Sequence, residues 1–533
     1  MNLVIILLYK TAFVVFFHLF PTTCTSFTIG NYLQPFTKKS SNRPTTSNQK
    51  QKTLLDDGSD SGRPNRNRNL LIFGHGNVAK AVIQQHQLIP QQQQQQQHQP
   101  QSLKTQITNR PQNIYCWNEY RFDSITCTYN KTPPTDEELD LKNVYYVPFN
   151  IDEIVDEILL PSSSNRFIDN PITHILVTIP PQLKQCSDVN NYDGRAYSAS
   201  TTATTATADA ATKTTSTIIY EDVILKSSKF QKYLQSNSSS NIESIAFVST
   251  TGVYGNHNGE WVDESLTSNI KCKVGSKAYG YWTIENQWKE CVLSNKTQSS
   301  FSPSSCSSSK ETNFIVFRCS GLYGNQFSAL HTLMKFENDN DVSSIFGDSH
   351  PKDDDNTKID DDNGSKSSNS INSFITSRVH LDDVGRSIIA CFAHHDDYDN
   401  VQQLSISIDN SDHCDDHEIN EEHVIIYNLS DDLPSPRTRV MKYAYNLLLE
   451  KANIDILVDT NKLQQQVPQK QNNRGSTERR IRRSKDQKRV SNKKLHGILE
   501  ASSFEKLKYP TFHEGLVAIL NHNLESWRNE QQG

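Results

Sequence analysis

Gly74-x-Gly76-x-x-Ala79 is the spacing in this chain with the most definite chemical meaning. It follows Leu70-Leu71-Ile72-Phe73, a short apolar run suited to a buried parallel strand, and opens a helical pattern through Ala79, Val82 and Ile83. In that setting Gly74 permits a tight turn, Gly76 lets the backbone approach a pyrophosphate, and Ala79 lets the helix pack on the strand. The helix amino terminus then meets the phosphates with free N–H groups and a positive dipole end. The pattern implies NAD or NADP held at Gly74, His75, Gly76, Asn77 and Val78. The next strand, read at Ile114–Trp117, should end beside the adenosine ribose, where Glu119 would favour NAD and Arg121 would favour NADP. Both remain candidates. The ten cysteines include no C-x-x-C and no Cys/His set with zinc-ligand spacing, so neither a metal nor a redox site is expected. The histidines near His394 and His413 are explained by local composition.

These residues need a scaffold, and the apolar runs supply one. Strand candidates at Val144–Val147, Ile175–Ile179, Ser244–Ser249 and Phe314–Phe317 alternate with helix-like segments at Ile151–Leu160, Ile218–Leu234 and Ile284–Leu293. Alternation of this kind predicts an α/β fold, a doubly wound parallel sheet of the NAD(P)-binding Rossmann type. The chain is long, 533 residues, yet only 35% hydrophobic, too polar for one continuous core of that size. The expected organisation is a Rossmann core over 69–325, completed by a smaller substrate region over 326–533. Polar, low-complexity insertions fall at about 88–110, 187–217, 294–312, 338–372, 394–423 and 460–488. The net charge of −6 excludes a general nucleic-acid binder, which needs positive surface for phosphates.

Residues 1–26 read as a signal peptide: an apolar stretch ending at Pro21, then small residues at Cys24-Thr25-Ser26. Residues 27–68 begin free of acids through Leu55, with Lys38, Lys39, Arg43, Lys50 and Lys52 among Ser and Thr, like a transit peptide. Together they predict a bipartite plastid presequence, with secretion as the alternative. Lys10 would sit in mid-bilayer if the first segment were an anchor, so no stable span is expected in the mature chain.

Ser249-Thr250-Thr251-Gly252-Val253-Tyr254-Gly255 ends the strand at Ser244–Ser249 and continues into Gly259-Glu260-Trp261-Val262-Asp263-Glu264. Further on stand Arg318-Cys319-Ser320-Gly321-Leu322-Tyr323-Gly324, Arg378-Val379-His380-Leu381-Asp382-Asp383-Val384, Tyr427-Asn428-Leu429-Ser430-Asp431-Asp432 and Tyr509-Pro510-Thr511-Phe512-His513-Glu514-Gly515. With Val177-Thr178-Ile179-Pro180-Pro181 closing the fourth strand, this series resembles the extended short-chain dehydrogenase/reductases, NAD(P)-dependent epimerases and dehydratases, in an atypical bacterial-type branch. The resemblance covers most of residues 69–520 outside the insertions.

The resemblance implies an NAD(P)-dependent oxidoreductase or nucleotide-sugar epimerase/dehydratase-like enzyme, with Pro180 and Thr250 lining the cofactor crevice. It also implies a small-molecule substrate, a nucleotide sugar among the candidates, and allows a homodimer. Active members pair a tyrosine with a lysine four residues on, the lysine lowering the phenol's pKa for proton exchange. Here Thr250 takes the hydroxyl position; in one register Tyr279 takes the tyrosine position and Thr283 stands where the lysine belongs, while in another Lys277 supplies the lysine and Lys273 replaces the tyrosine, with Tyr281 an alternative donor. The expectation is therefore Thr250 and Tyr279, with Lys277 brought near as a substitute activator. A non-enzymatic NAD(P)-binding sensor or scaffold is the competing reading.

Overall fold

Leu70 and Ile72 turn to one side of their strand, Leu71 and Phe73 to the other, and all four are fully buried. A strand buried on both faces must lie inside a sheet covered by helices on each side. The computed structural model describes residues 67–97, 120–160, 171–186, 217–236, 239, 241–266, 270–299, 312–335, 374–406, 424–452, 487–502 and 506–532. All belong to one compact unit, Asn65–Gly533. Its sheet has seven strands: β1 (Asn69–Phe73), β2 (Ser124–Tyr129), β3 (Val144–Pro148), β4 (His174–Val177), β5 (Ser244–Thr250), β6 (Asn313–Cys319) and β7 (Val424–Leu429). The order is β3-β2-β1-β4-β5-β6-β7, every pairing parallel. This is the doubly wound, Rossmann-type α/β sheet the alternation predicts, and the strand order reverses between β1 and β4.

On one face, α1 (Asn77–Gln97) packs with α7 (Leu381–Ile406) and α9 (Lys493–Ala501) through Val82, Ile388, Phe392 and Leu495. Gly385 of α7 rides on the Ala81 carbonyl of α1, where an added Cβ would lie 2.6 Å from that oxygen. The other face carries α3 (Ile151–Ile154, continuing as a π-turn to Leu159), α4 (Ser228–Gln235) and α5 (Lys277–Ser299). Phe230 and Trp288 meet there edge to face, and the Trp288 indole N–H donates to buried Asp222. A third cluster joins α6 (Ala329–Met334), α8 (Arg437–Ala452) and α10 (Phe512–Gln532) around Leu330, Met441, Leu448 and Leu516.

The structure corrects several sequence expectations. The strand expected at Ile114–Trp117 lies outside the described residues, and the strand hydrogen-bonded to β1 is Ser124–Tyr129. Ile218–Leu234 is not one helix. Thr217–Glu221 pairs antiparallel with Gln182–Cys186, a turn held by Asp222 Oδ1 follows, and α4 starts only after Ser227 caps it. The β-branched and aromatic run Ile218-Ile219-Tyr220 prefers that ribbon. Helix also enters stretches expected to be insertions: α1 runs through the glutamines to Gln97, α5 to Ser299 and α7 to Ile406. Asp396 shows why α7 continues: it is 4% exposed and joins Arg68, Tyr120 and His174 at the amino end of the sheet. The proposed presequence, residues 1–66 in the main, lies outside the described residues. Among the described residues no helix is long and apolar enough to cross a membrane.

Candidate functional site

The strand order reverses between β1 and β4, the place where a doubly wound sheet leaves a crevice outside the carboxyl ends of its strands, and Gly74 stands there. Gly74 has φ +104°, a conformation that L side chains rarely adopt, and an added Cβ would stand 2.8 Å from the Thr178 hydroxyl. Its N–H donates to Thr128 Oγ1 at the end of β2 (2.9 Å), and Thr178 Oγ1 donates back to the Phe73 carbonyl (2.9 Å). Gly76 differs: nothing lies within 4 Å of where its Cβ would be, and its φ is ordinary. Space is thus kept open beside the amino end of α1, whose first N–H groups lack intrahelical partners. A backbone cradle open on this side fits a dinucleotide's pyrophosphate. Asn77 and Val78 begin α1, with Asn77 exposed and Val78 turned into the core. Pro180 stands exposed just past β4.

His75 sits edge-on to Tyr146, with Nε2 3.4 Å from Glu138. Burial lowers its pKa. Glu138 lies on the short helix α2 (Asp136–Leu139) and also meets Lys80 Nζ at 3.0 Å. Partial burial opposes its ionisation, but the Thr135 N–H, Lys80 and His75 outweigh that and hold the carboxyl below its usual range. Arg121 precedes β2, which parallel pairing with β1 puts at the amino end of the sheet, opposite the crevice. It therefore cannot read the ribose. Glu119 lies outside the described residues.

Thr250 closes β5 and its Oγ1 accepts the Gly252 N–H (3.1 Å), capping the turn Thr251–Tyr254. Behind it lies a buried charged network. Ser249 donates to Glu285 of α5, and Glu285 grips Arg318 of β6 with contacts of 2.7 and 3.3 Å. The Arg318 guanidinium lies over the Tyr254 ring, whose hydroxyl donates to Asn428 of β7 (2.8 Å). Burial works against the Arg318 charge, yet Glu285 prevails and raises its pKa. Arg318 is thus a tie between strand ends rather than a substrate contact.

Tyr279 sits in the first turn of α5, edge-on to Tyr220 and tilted against Trp282. Lys277 is the first residue of that same helix, with its ammonium 5.9 Å from the Tyr281 ring. Residues two apart on a helix point to opposite sides, so no loop brings Lys277 to Tyr279. Thr283, at the lysine's place, turns its hydroxyl to the Tyr279 carbonyl (2.9 Å). The expected Tyr279–Lys277 pairing is therefore not formed.

Beyond Thr250 opens a cavity of about 790 Å³ between the sheet and the third helix cluster. Thr251 and Gly252 line its inner end, Val440, Phe512 and Leu516 its apolar side. Lys335, Arg378, Arg437 and Lys488 contribute cations to its wall, and no carboxylate among the described residues lines it. Arg378 donates to the Thr376 and Ser435 carbonyls (3.1 and 2.9 Å). Its neighbour Asp431 is buried, which pushes that carboxyl up to about 8 despite the guanidinium beside it. These cations were missed in sequence because they come from four separate segments. Lys488 stands at the edge of the polar insertion expected at about 460–488, yet it donates to the Gly255 carbonyl, and Arg489–Val490 pairs with Trp261–Val262.

Many solved structures are similar to this chain, and three of them stand for the rest. A conserved protein of unknown function from Silicibacter pomeroyi is 16% identical, with 85% of this chain and 99% of that one covered and a TM-score of 0.40. UDP-glucuronic acid 4-epimerase from Bacillus cereus, solved with NAD, is 10% identical over 85% and 96%, TM-score 0.38. UDP-glucose 4-epimerase from Thermotoga maritima, with UDP-glucose, is 10% identical over 87% and 99%, TM-score 0.37. No protein-family model matches the chain, and no curated protein matches it in sequence.

One further group combines metal-ligand types among the described residues, His174 with Glu243 and Asp396. Asp396 there already receives Arg68, Tyr120 and His174, so its carboxylate is engaged as a structural hub. His380, of the Arg378–Val384 motif, is buried edge-on between Tyr323 and Tyr509, and burial lowers it to about 4.

Proposed function

We propose that this protein is an NAD(P)-dependent oxidoreductase or nucleotide-sugar epimerase/dehydratase-like enzyme acting on an anionic substrate. The observation that carries the reading is the crevice itself: Gly74 locked between Thr128 and Thr178, and Gly76 open where a pyrophosphate approaches. Gly74 through Val78 hold the cofactor's phosphates, and Pro180 and Thr250 border the crevice. When bound, NAD(P) supplies hydride exchange. The cationic cavity holds the substrate's negative groups beside the apolar side chains of Val440, Phe512 and Leu516. Thr250 polarises the substrate oxygen, and Tyr279 supplies a phenol without a lysine partner.

That missing partner favours a second reading, a sensor that binds cofactor and performs no turnover. The test uses the full chain, titrated calorimetrically with NAD+, NADH, NADP+ and NADPH, then assayed for turnover with nucleotide sugars. An enzyme binds a cofactor and turns over, and Thr250→Ala and Tyr279→Phe each cut kcat while cofactor affinity holds. Cofactor binding without turnover, across anionic sugar and sugar-phosphate substrates, leaves the sensor reading. A folded chain that binds none of the four overturns both.

A further inference from the structure

We infer that the crevice selects NADP(H) over NAD(H), with Lys131 as the residue that reads the 2′-phosphate. The inference rests on the cofactor reading above and goes one step beyond it. Parallel pairing matches Ile72 with Cys127, so Thr128 stands level with the end of β1, and its hydroxyl holds the Gly74 N–H. After Tyr129, the last residue of β2, Asn130-Lys131 therefore leave the sheet beside the phosphate cradle. Three residues of chain span at most about 11 Å, and a lysine side chain adds to that reach. This is the place where an acid would bind the ribose hydroxyls and where a cation favours the extra phosphate.

No acid stands there. From Tyr129 to Thr135 the only charged side chain is Lys131, and both Asn130 and Lys131 are exposed. Asn130 offers a neutral amide, which does not repel a phosphate as a carboxylate would. Among the described residues Glu138 is the carboxylate tied to the glycine turn through His75, and it is already committed. One oxygen faces Lys80 and His75, and the other accepts the Thr135 N–H at 2.8 Å. That capping box fixes Glu138 to its own helix and to α1, so it neutralises Lys80 rather than meeting a ribose.

Equilibrium titration of the full chain tests this, with NADPH, NADH, 2′,5′-ADP and 5′-AMP as probes and tryptophan fluorescence or calorimetry as readout. NADPH should bind roughly tenfold or more tighter than NADH, since a cation–phosphate contact is charge-assisted. The same preference should separate 2′,5′-ADP from 5′-AMP. Lys131→Ala should erase most of the difference by weakening NADPH alone, and Lys131→Glu should reverse it. Equal or tighter NADH binding overturns the inference while leaving the cofactor reading intact, as does a preference for NADPH that survives Lys131→Ala. Loss of NADH binding in Glu138→Gln would make Glu138 the ribose reader and overturn it too. A chain that binds no cofactor ends both.

Discussion

Gly74 and Gly76 are two residues apart, yet the structure gives them opposite jobs, and alanine separates them. At Gly74 a methyl group meets the Thr178 hydroxyl at 2.8 Å on a backbone with φ +104°. Holding an L residue in such a conformation costs about 1–3 kcal/mol. Displacing Thr178 also weakens its bonds to the Phe73 and Gly74 carbonyls, each worth about 0.5–1.5 kcal/mol. Gly74→Ala should therefore lose about 2–4 kcal/mol and melt several degrees lower. At Gly76 a methyl group meets nothing within 4 Å. Glycine's advantage just before a helix and its greater freedom in the unfolded chain oppose each other, each at under about 1 kcal/mol. Gly76→Ala should melt with the parent protein, but its methyl occupies the space of the pyrophosphate and should weaken cofactor binding on the order of tenfold. Thermal melts without ligand, together with calorimetric titration, read both effects. A Gly76→Ala protein that binds cofactor as tightly as its parent refutes the cradle, whatever the melts show.

Glu285→Gln leaves the Arg318 guanidinium buried without its countercharge, and breaking such a pair from one side costs about 3–5 kcal/mol. Urea denaturation should show it, and removing both partners (Glu285→Leu with Arg318→Met) should recover much of the loss; equal damage from the double variant would contradict this account. Asp431, raised to about 8 by burial, binds a proton in the native state that the unfolded chain releases near ~3.9. Between those values the native state holds more protons, so Asp431 makes stability fall as pH rises and level off above about 8. Asp431→Asn should flatten that slope in urea midpoints measured from pH 5 to 9, and an unchanged slope would show that Asp431 is already ionised.

The sheet was legible because its strands are buried on both faces. Runs such as Leu70–Phe73 and Phe314–Phe317 have no polar alternation to mislead a reader, and the glycine turn follows one of them directly. The second strand was misplaced because Ser124-Ile125-Thr126-Cys127-Thr128-Tyr129 is polar in composition. Its threonines at 126 and 128 are nevertheless buried, and Thr128 serves the turn as a hydrogen-bond partner. That error carried the ribose reader with it, to Arg121 at the wrong end of the sheet. The landmark motifs prove to be joints. Glu264 accepts the Asn428 N–H, Asp383 accepts the N–H groups of Lys508 and Tyr509, and Gly515 leaves room for the Tyr323 ring. Each links segments far apart in sequence, so spacing alone announces the residues but not their partners.

The same geometry explains why the tyrosine question turned on helix phase. Read as a string, Lys277 is nearer to Tyr279 than to Tyr281. On a helix of 3.6 residues per turn, position i+4 lies on the same side and position i+2 on the other. Once α5 is known to begin at Lys277, its ammonium belongs to Tyr281, and the contact over that ring follows. Tyr279 instead shares its side with Thr283, whose hydroxyl is bound to the helix backbone and brings no charge. Any proton Tyr279 gives a substrate must therefore leave without lysine's help. The cations of the cavity wall, Arg378 among them, line a space that Tyr279 does not border. The function proposed above therefore rests on recognition of substrate charge more than on an activated tyrosine.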